Sequence, residues 1–168
     1  GGDGSERQDR RLQGKVTIVT GAGTGIGEAI AHKFAREGAK VVVCGLPSDP
    51  IEDVAKAIRD KKGEAIAFGG DISEERVAKT CIDVTIKKFK RLDVLVNNAG
   101  VFLDNAMTQD YPVADFDETI RMNIRSAFMM TRFALPHLQK FRGNIISAGS
   151  ESGTIGLAQN TPYGGTKG

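Results

Sequence analysis

The sequence predicts an α/β fold, a doubly wound parallel sheet with helices on both faces, and three observations carry that reading. From Lys15 onward, short runs rich in β-branched residues alternate with longer segments of helical period, the signature of successive βαβ units. The run Val41-Val42-Val43 is apolar without alternation, as a strand is when both its faces are covered. Between the first strand and the first helix lies Thr20-Gly21-Ala22-Gly23-Thr24-Gly25-Ile26-Gly27. Right-handed crossovers then give a doubly wound sheet in a three-layer α/β/α arrangement, with a ligand expected at the carboxyl ends of the strands.

The elements follow in order. Residues 1–14 are polar and without periodicity, and read as a flexible arm ahead of one domain over 15–168. Val16 to Thr20 is the first strand; Ile26, Ile30 and Phe34 share one face of a helix that Gly38 closes. Val41 to Cys44 is the second strand, and Ser48-Asp49-Pro50 reads as a cap followed by proline in the first turn of a helix to about Lys61. Ala65 to Phe68 is the third strand. Asp71-Ile72-Ser73 precedes a helix on which Ile82, Ile86 and Phe89 align. Asp93 to Val96 is the fourth strand. A loop leads to a helical stretch from about Val113, renewed after Met122 and running to about Gln139, with Pro136 kinking its end. Asn144 to Ser147 is the fifth strand, and the Gly-, Ser- and Thr-rich segment beyond it reads as the loop lining a ligand cleft.

Composition narrows the function classes. Lys plus Arg number 23 and Asp plus Glu 21, a net charge of +2, too small for a nucleic-acid-binding stripe. Lys87, Lys88, Lys90 and Arg91 fall at the end of a predicted helix, where cations complement the helix dipole. No apolar stretch has the length of a membrane span. The two cysteines, Cys44 and Cys81, sit in apolar patterns without metal-ligand spacing, so no metal site and a reducing, cytoplasmic setting are expected.

The glycine-rich octet is the first chemical signal. Glycine there permits positive φ, lets the backbone approach a pyrophosphate and lets the helix pack close to the strand. The helix start supplies unpaired N–H groups to the anion. Glu28 stands where a mononucleotide phosphate loop needs lysine, which excludes that alternative. This turn, with Asn97-Asn98-Ala99-Gly100 and the residues below, resembles the short-chain dehydrogenase/reductase family over Lys15 to Lys167. Gly21, Gly25 and Gly27 match its pattern TGxxxGxG, and Thr24 occupies the middle glycine position of the extended branch's GxxGxxG.

The resemblance implies a Rossmann-like fold with strand order 3-2-1-4-5, an NAD or NADP cofactor and a small-molecule alcohol or ketone substrate. It implies cofactor contacts at Gly21, Thr24, Gly25, Ile26, Gly27, Asp71, Ile72, Asn98, Ala99 and Gly100, with Asp71 on the adenine ring. Tyr163 and Lys167 are four apart and share a helix face, and Ser150 lies thirteen residues before Tyr163. A phenol with a pKa of about 10 is a poor base at neutral pH unless a neighbouring cation stabilises its anion. The resemblance makes Tyr163 the acid/base, with Lys167 lowering its pKa and holding the nicotinamide ribose. Ser150 then polarises the substrate oxygen, and Asn123 holds a water linked to Lys167.

Some positions depart from the family pattern. Gly149 precedes Ser150 where a second serine is usual, and Lys90 replaces a common glycine before the fourth strand. At the end of the second strand, Cys44-Gly45-Leu46 lacks the acidic residue that accepts from ribose hydroxyls, and Thr24 is not the basic residue used for a 2′-phosphate. The missing cation favours NAD. Family members continue well past Tyr-x-x-x-Lys, so the 168 residues are expected to be the front part of a longer protein, lacking the last two strands and the substrate loop. Such a piece would bind the adenosine half better than it catalyses; when full length, the family forms homodimers or homotetramers. A non-catalytic dinucleotide-binding module, or an inactive fragment, is the rival reading.

Overall fold

The computed structural model describes residues 10–98, 109–151 and 154–159, with side chains described through Ala148. Five strands lie parallel: β1 (Val16–Val19), β2 (Lys40–Gly45), β3 (Glu64–Gly69), β4 (Val94–Asn98) and β5 (Asn144–Glu151). Their order is β3-β2-β1-β4-β5, as the family resemblance implies, and β6 (Thr154–Gln159) adds an antiparallel edge beyond β5. Helices α1 (Gly25–Arg36), α2 (Ile51–Asp60), α3 (Glu75–Phe89) and α4 (Val113–Phe141) are the long connections.

Strand alternation sorts the core into two layers. Val16, Ile18, Val42, Cys44, Leu95 and Ile145 pack with Ala78, Cys81 and Ile82 of α3 and with Met129, Met130, Ala134 and Leu138 of α4. Val19, Val41, Val43, Val94 and Val96 face the other way, against Ile30 and Ala31 of α1 and Val54, Ala55 and Ile58 of α2. Each fully buried branched side chain stabilises the fold by about 1.5–3 kcal/mol. Both cysteines are buried and free, and hydrogen bonding with Cys44 together with burial pushes the Cys81 thiol well up.

The N-terminal ends of β1, β4 and β5 are tied at Asp93. Its buried carboxylate accepts from the Val16 N–H at 2.9 Å and from Arg91 through Nε at 2.8 Å and NH2 at 2.7 Å. Its backbone donates to the Val16 carbonyl and accepts from Asn144. The arm predicted over 1–14 is anchored at its far end: the Leu12 N–H donates to the Glu37 carbonyl, and its side chain packs on the α1/α2 layer.

Four expectations need correction. The cap at Ser48-Asp49-Pro50 is not formed: α2 starts at Ile51, no side chain caps it, and the Asp49 carboxylate turns back to the Leu46 N–H at 3.0 Å. Pro50 itself occupies the N-cap, with φ −78° and ψ 50°, which puts Asp49 one residue ahead of the capping position. No break follows Met122: α4 is one helix of 29 residues with Pro136 inside it, held by Met129, Met130, Ala134 and Leu138 in the core. The fifth strand does not stop at Ser147 but runs to Glu151. The segment expected as a cleft loop instead pairs as β6, with Glu151 opposite Thr154 and Ile146 opposite Gln159. Ile155 and Leu157 alternate with small residues there, and β5 otherwise leaves a row of edge N–H and C=O groups unpaired.

Candidate functional site

The chain leaves β3 and returns on the other side of β1 as β4, so the winding direction changes between β1 and β4. In an open parallel sheet this is the crevice where ligands bind. Thr20 closes its floor. Its N–H donates to the Val96 carbonyl at 3.0 Å, its Oγ1 donates to the same carbonyl at 3.3 Å, and that Oγ1 accepts from the Asn98 N–H at 3.0 Å. Asn98 Nδ2 in turn reaches the Gly21 carbonyl at 3.3 Å. Two strand ends are thereby locked, and Asn98 Oδ1 is left buried without a partner among the described residues.

The glycines differ in what they do. A Cβ on Gly27 would stand 2.0 Å from the Gly21 carbonyl oxygen and 2.7 Å from Asn98 Nδ2, so this position lets α1 approach the turn. Gly25 has φ +58° and open space where its Cβ would point. It begins α1 behind Thr24, an exposed N-cap whose hydroxyl makes no capping bond. A positive-φ glycine facing open space at the N-terminus of a buried-face helix is a seat for an anion approaching the backbone closely. Ile26 anchors the same turn into the α1/α2 layer.

Asp71 follows β3 on the same edge of the sheet. Its Oδ1 accepts from the Ser73 N–H at 3.0 Å and the Ser73 Oγ at 2.6 Å, and Ile72 packs on the α3/α4 layer. The Ser73 carbonyl accepts from Arg125 Nε at 2.8 Å, which ties this turn to α4. Asn123 lies two residues earlier on α4, with Nδ2 buried and without a partner among the described residues. Asn97 Nδ2 donates to Thr131 Oγ1 at 3.4 Å, a second tie from the crevice to α4.

The structure thus brings Gly21, Gly25, Gly27 and Asn98 into one crevice, with Thr24 and Ile26 in its turn and Asp71 and Ile72 on the same sheet edge. Ala99, Gly100, Tyr163 and Lys167 lie outside the described residues. Ser150 is paired with Ile155 on the β5–β6 ladder, and its side chain lies outside them as well. Sequence reasoning gave no structural role to Thr20 or Arg125, whose partners are distant in sequence. Among the described residues no group of His, Cys, Asp or Glu could hold a metal, and no helix is long and apolar enough to cross a membrane.

Comparison with known proteins agrees with this geometry. Residues 15–168 match the family model described as short chain dehydrogenase. The chain is 37% identical to an L-fucose dehydrogenase of Bos taurus over 94% of its own length and 57% of the relative's. It is 35% identical to an uncharacterized oxidoreductase, YxbG, of Bacillus subtilis (strain 168), over 94% of this chain and 58% of that one. Among solved structures it resembles a 7α-hydroxysteroid dehydrogenase complexed with NADH and 7-oxo glycochenodeoxycholic acid, at 36% identity and TM-score 0.73, over 86% of this chain and 56% of that one. The chain therefore spans little more than half the length of these relatives. With the crevice at the β1/β4 switch and the match over 15–168, the chain belongs to the short-chain dehydrogenase family.

Proposed function

We propose that the protein is an oxidoreductase that moves a hydride between a nicotinamide dinucleotide, NAD(H) or NADP(H), and a secondary alcohol or ketone. The observation that carries this is the open space above positive-φ Gly25, at the helix start beside the β1/β4 switch. The residues present fit such a cofactor. The turn Gly21–Gly27 would hold the pyrophosphate through backbone N–H groups, and Asp71 with Ile72 would flank the adenine. Asn98, Ala99 and Gly100 would lie along the adenosine-to-nicotinamide span. The relatives named for L-fucose and hydroxysteroid oxidation support an alcohol/ketone substrate class.

When bound, the cofactor supplies the hydride acceptor or donor. The chain's own task is the proton. Tyr163 gives or takes it at the substrate oxygen, Lys167 stabilises the phenolate and holds the nicotinamide ribose, and Ser150 polarises the oxygen. Asn123 holds a water that connects Lys167 to solvent, a role its unpartnered buried Nδ2 supports. Exposed Ile124 and Phe128 on α4 support a homodimer or homotetramer, and the buried free cysteines support a cytoplasmic setting.

The test is titration with NADH and NADPH, followed by turnover of secondary alcohols and ketones monitored by cofactor absorbance. Saturable binding is expected, and Tyr163→Phe is expected to lower turnover of an accepted substrate by about 10²-fold or more while binding persists. Unchanged turnover in Tyr163→Phe, or no binding of either dinucleotide, refutes the reading.

A further inference from the structure

The adenosine ribose of a dinucleotide seated on this turn falls between the turn and the end of β2, where an acidic side chain accepts from the 2′-hydroxyl. Gly45 has no side chain to do so. The structure nevertheless puts a carboxylate there. A Cβ on Gly45 would meet Asp49 Oδ2 at 3.2 Å and Ile51 Cγ2 at 2.7 Å, so the space of a residue-45 side chain is already taken by residues 49 and 51. A Cβ on Gly23, within the glycine-rich turn, would meet Asp49 Cβ at 2.8 Å. Asp49 therefore stands between the turn and β2. These two ends are themselves joined, the Ala22 N–H donating to the Cys44 carbonyl at 2.9 Å.

The carboxylate is held in place. Oδ2 accepts from the Leu46 N–H at 3.0 Å, and the Asp49 N–H donates to the Leu46 carbonyl at 2.9 Å. Oδ1 takes no hydrogen bond from any described residue, and no side chain caps α2, so helix capping does not account for this carboxylate. The side chain is half-buried, and neither the turn Gly21–Gly27 nor the segment Gly45–Pro50 contains a lysine or arginine.

We infer that Asp49 takes over from position 45 as the residue that reads the adenosine ribose, giving the protein a preference for NAD(H) over NADP(H). Oδ1 accepts from the 2′-hydroxyl, and the charge repels a 2′-phosphate. This rests on the dinucleotide reading above and adds to it the identity of the discriminating group. Glycine at 45 and aspartate at 49 then belong together, since a Cβ at 45 would press on the carboxylate at 3.2 Å and clash with Ile51 Cγ2 at 2.7 Å.

The experiment measures binding by calorimetry, without turnover, of ADP-ribose and 2′-phospho-ADP-ribose to the protein and to Asp49→Asn. Asparagine keeps an oxygen for the Leu46 N–H, removes the charge and replaces the Oδ1 acceptor by an N–H donor. The protein is expected to bind ADP-ribose about tenfold or more tighter than its 2′-phosphate, and Asp49→Asn to narrow that ratio to about threefold or less. Raising salt from about 0.05 to 0.5 M is expected to narrow the ratio in the unmodified protein too, by screening the repulsion. If both ligands bind and Asp49→Asn leaves the ratio unchanged, the inference fails while the dinucleotide reading stands. If the variant does not fold, a ratio indifferent to salt overturns it. If neither ligand binds, both fall.

Discussion

Alanine at three glycines separates ligand space from backbone strain. Gly25 and Gly14 have φ +58° and +77°, and at both an added Cβ meets nothing within 4 Å. Gly14 lies just before β1, at the opposite end of the sheet from the crevice. Each alanine pays the left-handed conformation, about 1–2 kcal/mol, partly offset by a less flexible unfolded chain. About 1 kcal/mol net corresponds to a Tm lower by about 2–4 °C in a chain of this size. Gly27 differs, because its Cβ would stand 2.0 Å from the Gly21 carbonyl oxygen. Reaching ordinary contact requires about 1.4 Å of movement between a helix and a turn that both belong to the framework. Gly27→Ala is therefore expected to cost about 3 kcal/mol. Binding of ADP-ribose, followed by calorimetry beside thermal melts, makes the distinction. Gly25→Ala is expected to lose about tenfold or more in affinity, because its methyl occupies space the diphosphate needs, while Gly14→Ala binds normally at the same melting temperature. Equal affinities for Gly14→Ala and Gly25→Ala would refute the assignment of the open space above Gly25 to the ligand.

Two further predictions concern the framework. Asp93→Ala leaves the Val16 N–H and the Arg91 guanidinium without their acceptor and is expected to cost about 3 kcal/mol in urea unfolding; Asp93→Asn, which keeps one acceptor, costs less than half of that. Lys90 holds φ +69° as the C-cap of α3, with its N–H on the Ile86 carbonyl, and Lys90→Gly is expected to raise stability by about 0.5–1 kcal/mol, read as a higher urea midpoint at unchanged slope.

At Lys90 it is comparison with the family pattern that is informative: a residue standing where a glycine is usual points to a strained turn, and the backbone there has φ +69°. Local pattern alone reaches Gly38 after α1 and the alternation of Val41, Val42 and Val43 between two layers, because period and helix-stop signals are properties of the chain itself, while the strand order follows from the family resemblance. The expected cap at Asp49 and break after Met122 fail for the converse reason. Each pits a local preference against partners brought in by folding: the Leu46 N–H for one, the core under Met129 and Met130 for the other. The β6 ladder likewise needs an exposed edge on β5 that no window of sequence displays.

By itself, then, the sequence determined a parallel α/β sheet and a glycine-rich turn at its first crossover, since these follow from periodicity and from φ preferences, while the residues proposed for hydride transfer rest on the family resemblance. Only the tertiary structure decided which groups meet at the crevice. Thr20 bonds to Asn98, Gly27 is pressed against the Gly21 carbonyl, and the Asp49 carboxylate occupies the space that Gly45 leaves open. The first contact spans 78 residues, the second depends on how closely α1 approaches the turn and the third on a side chain folding back, so they exist once packing has selected one arrangement among those that local preferences allow.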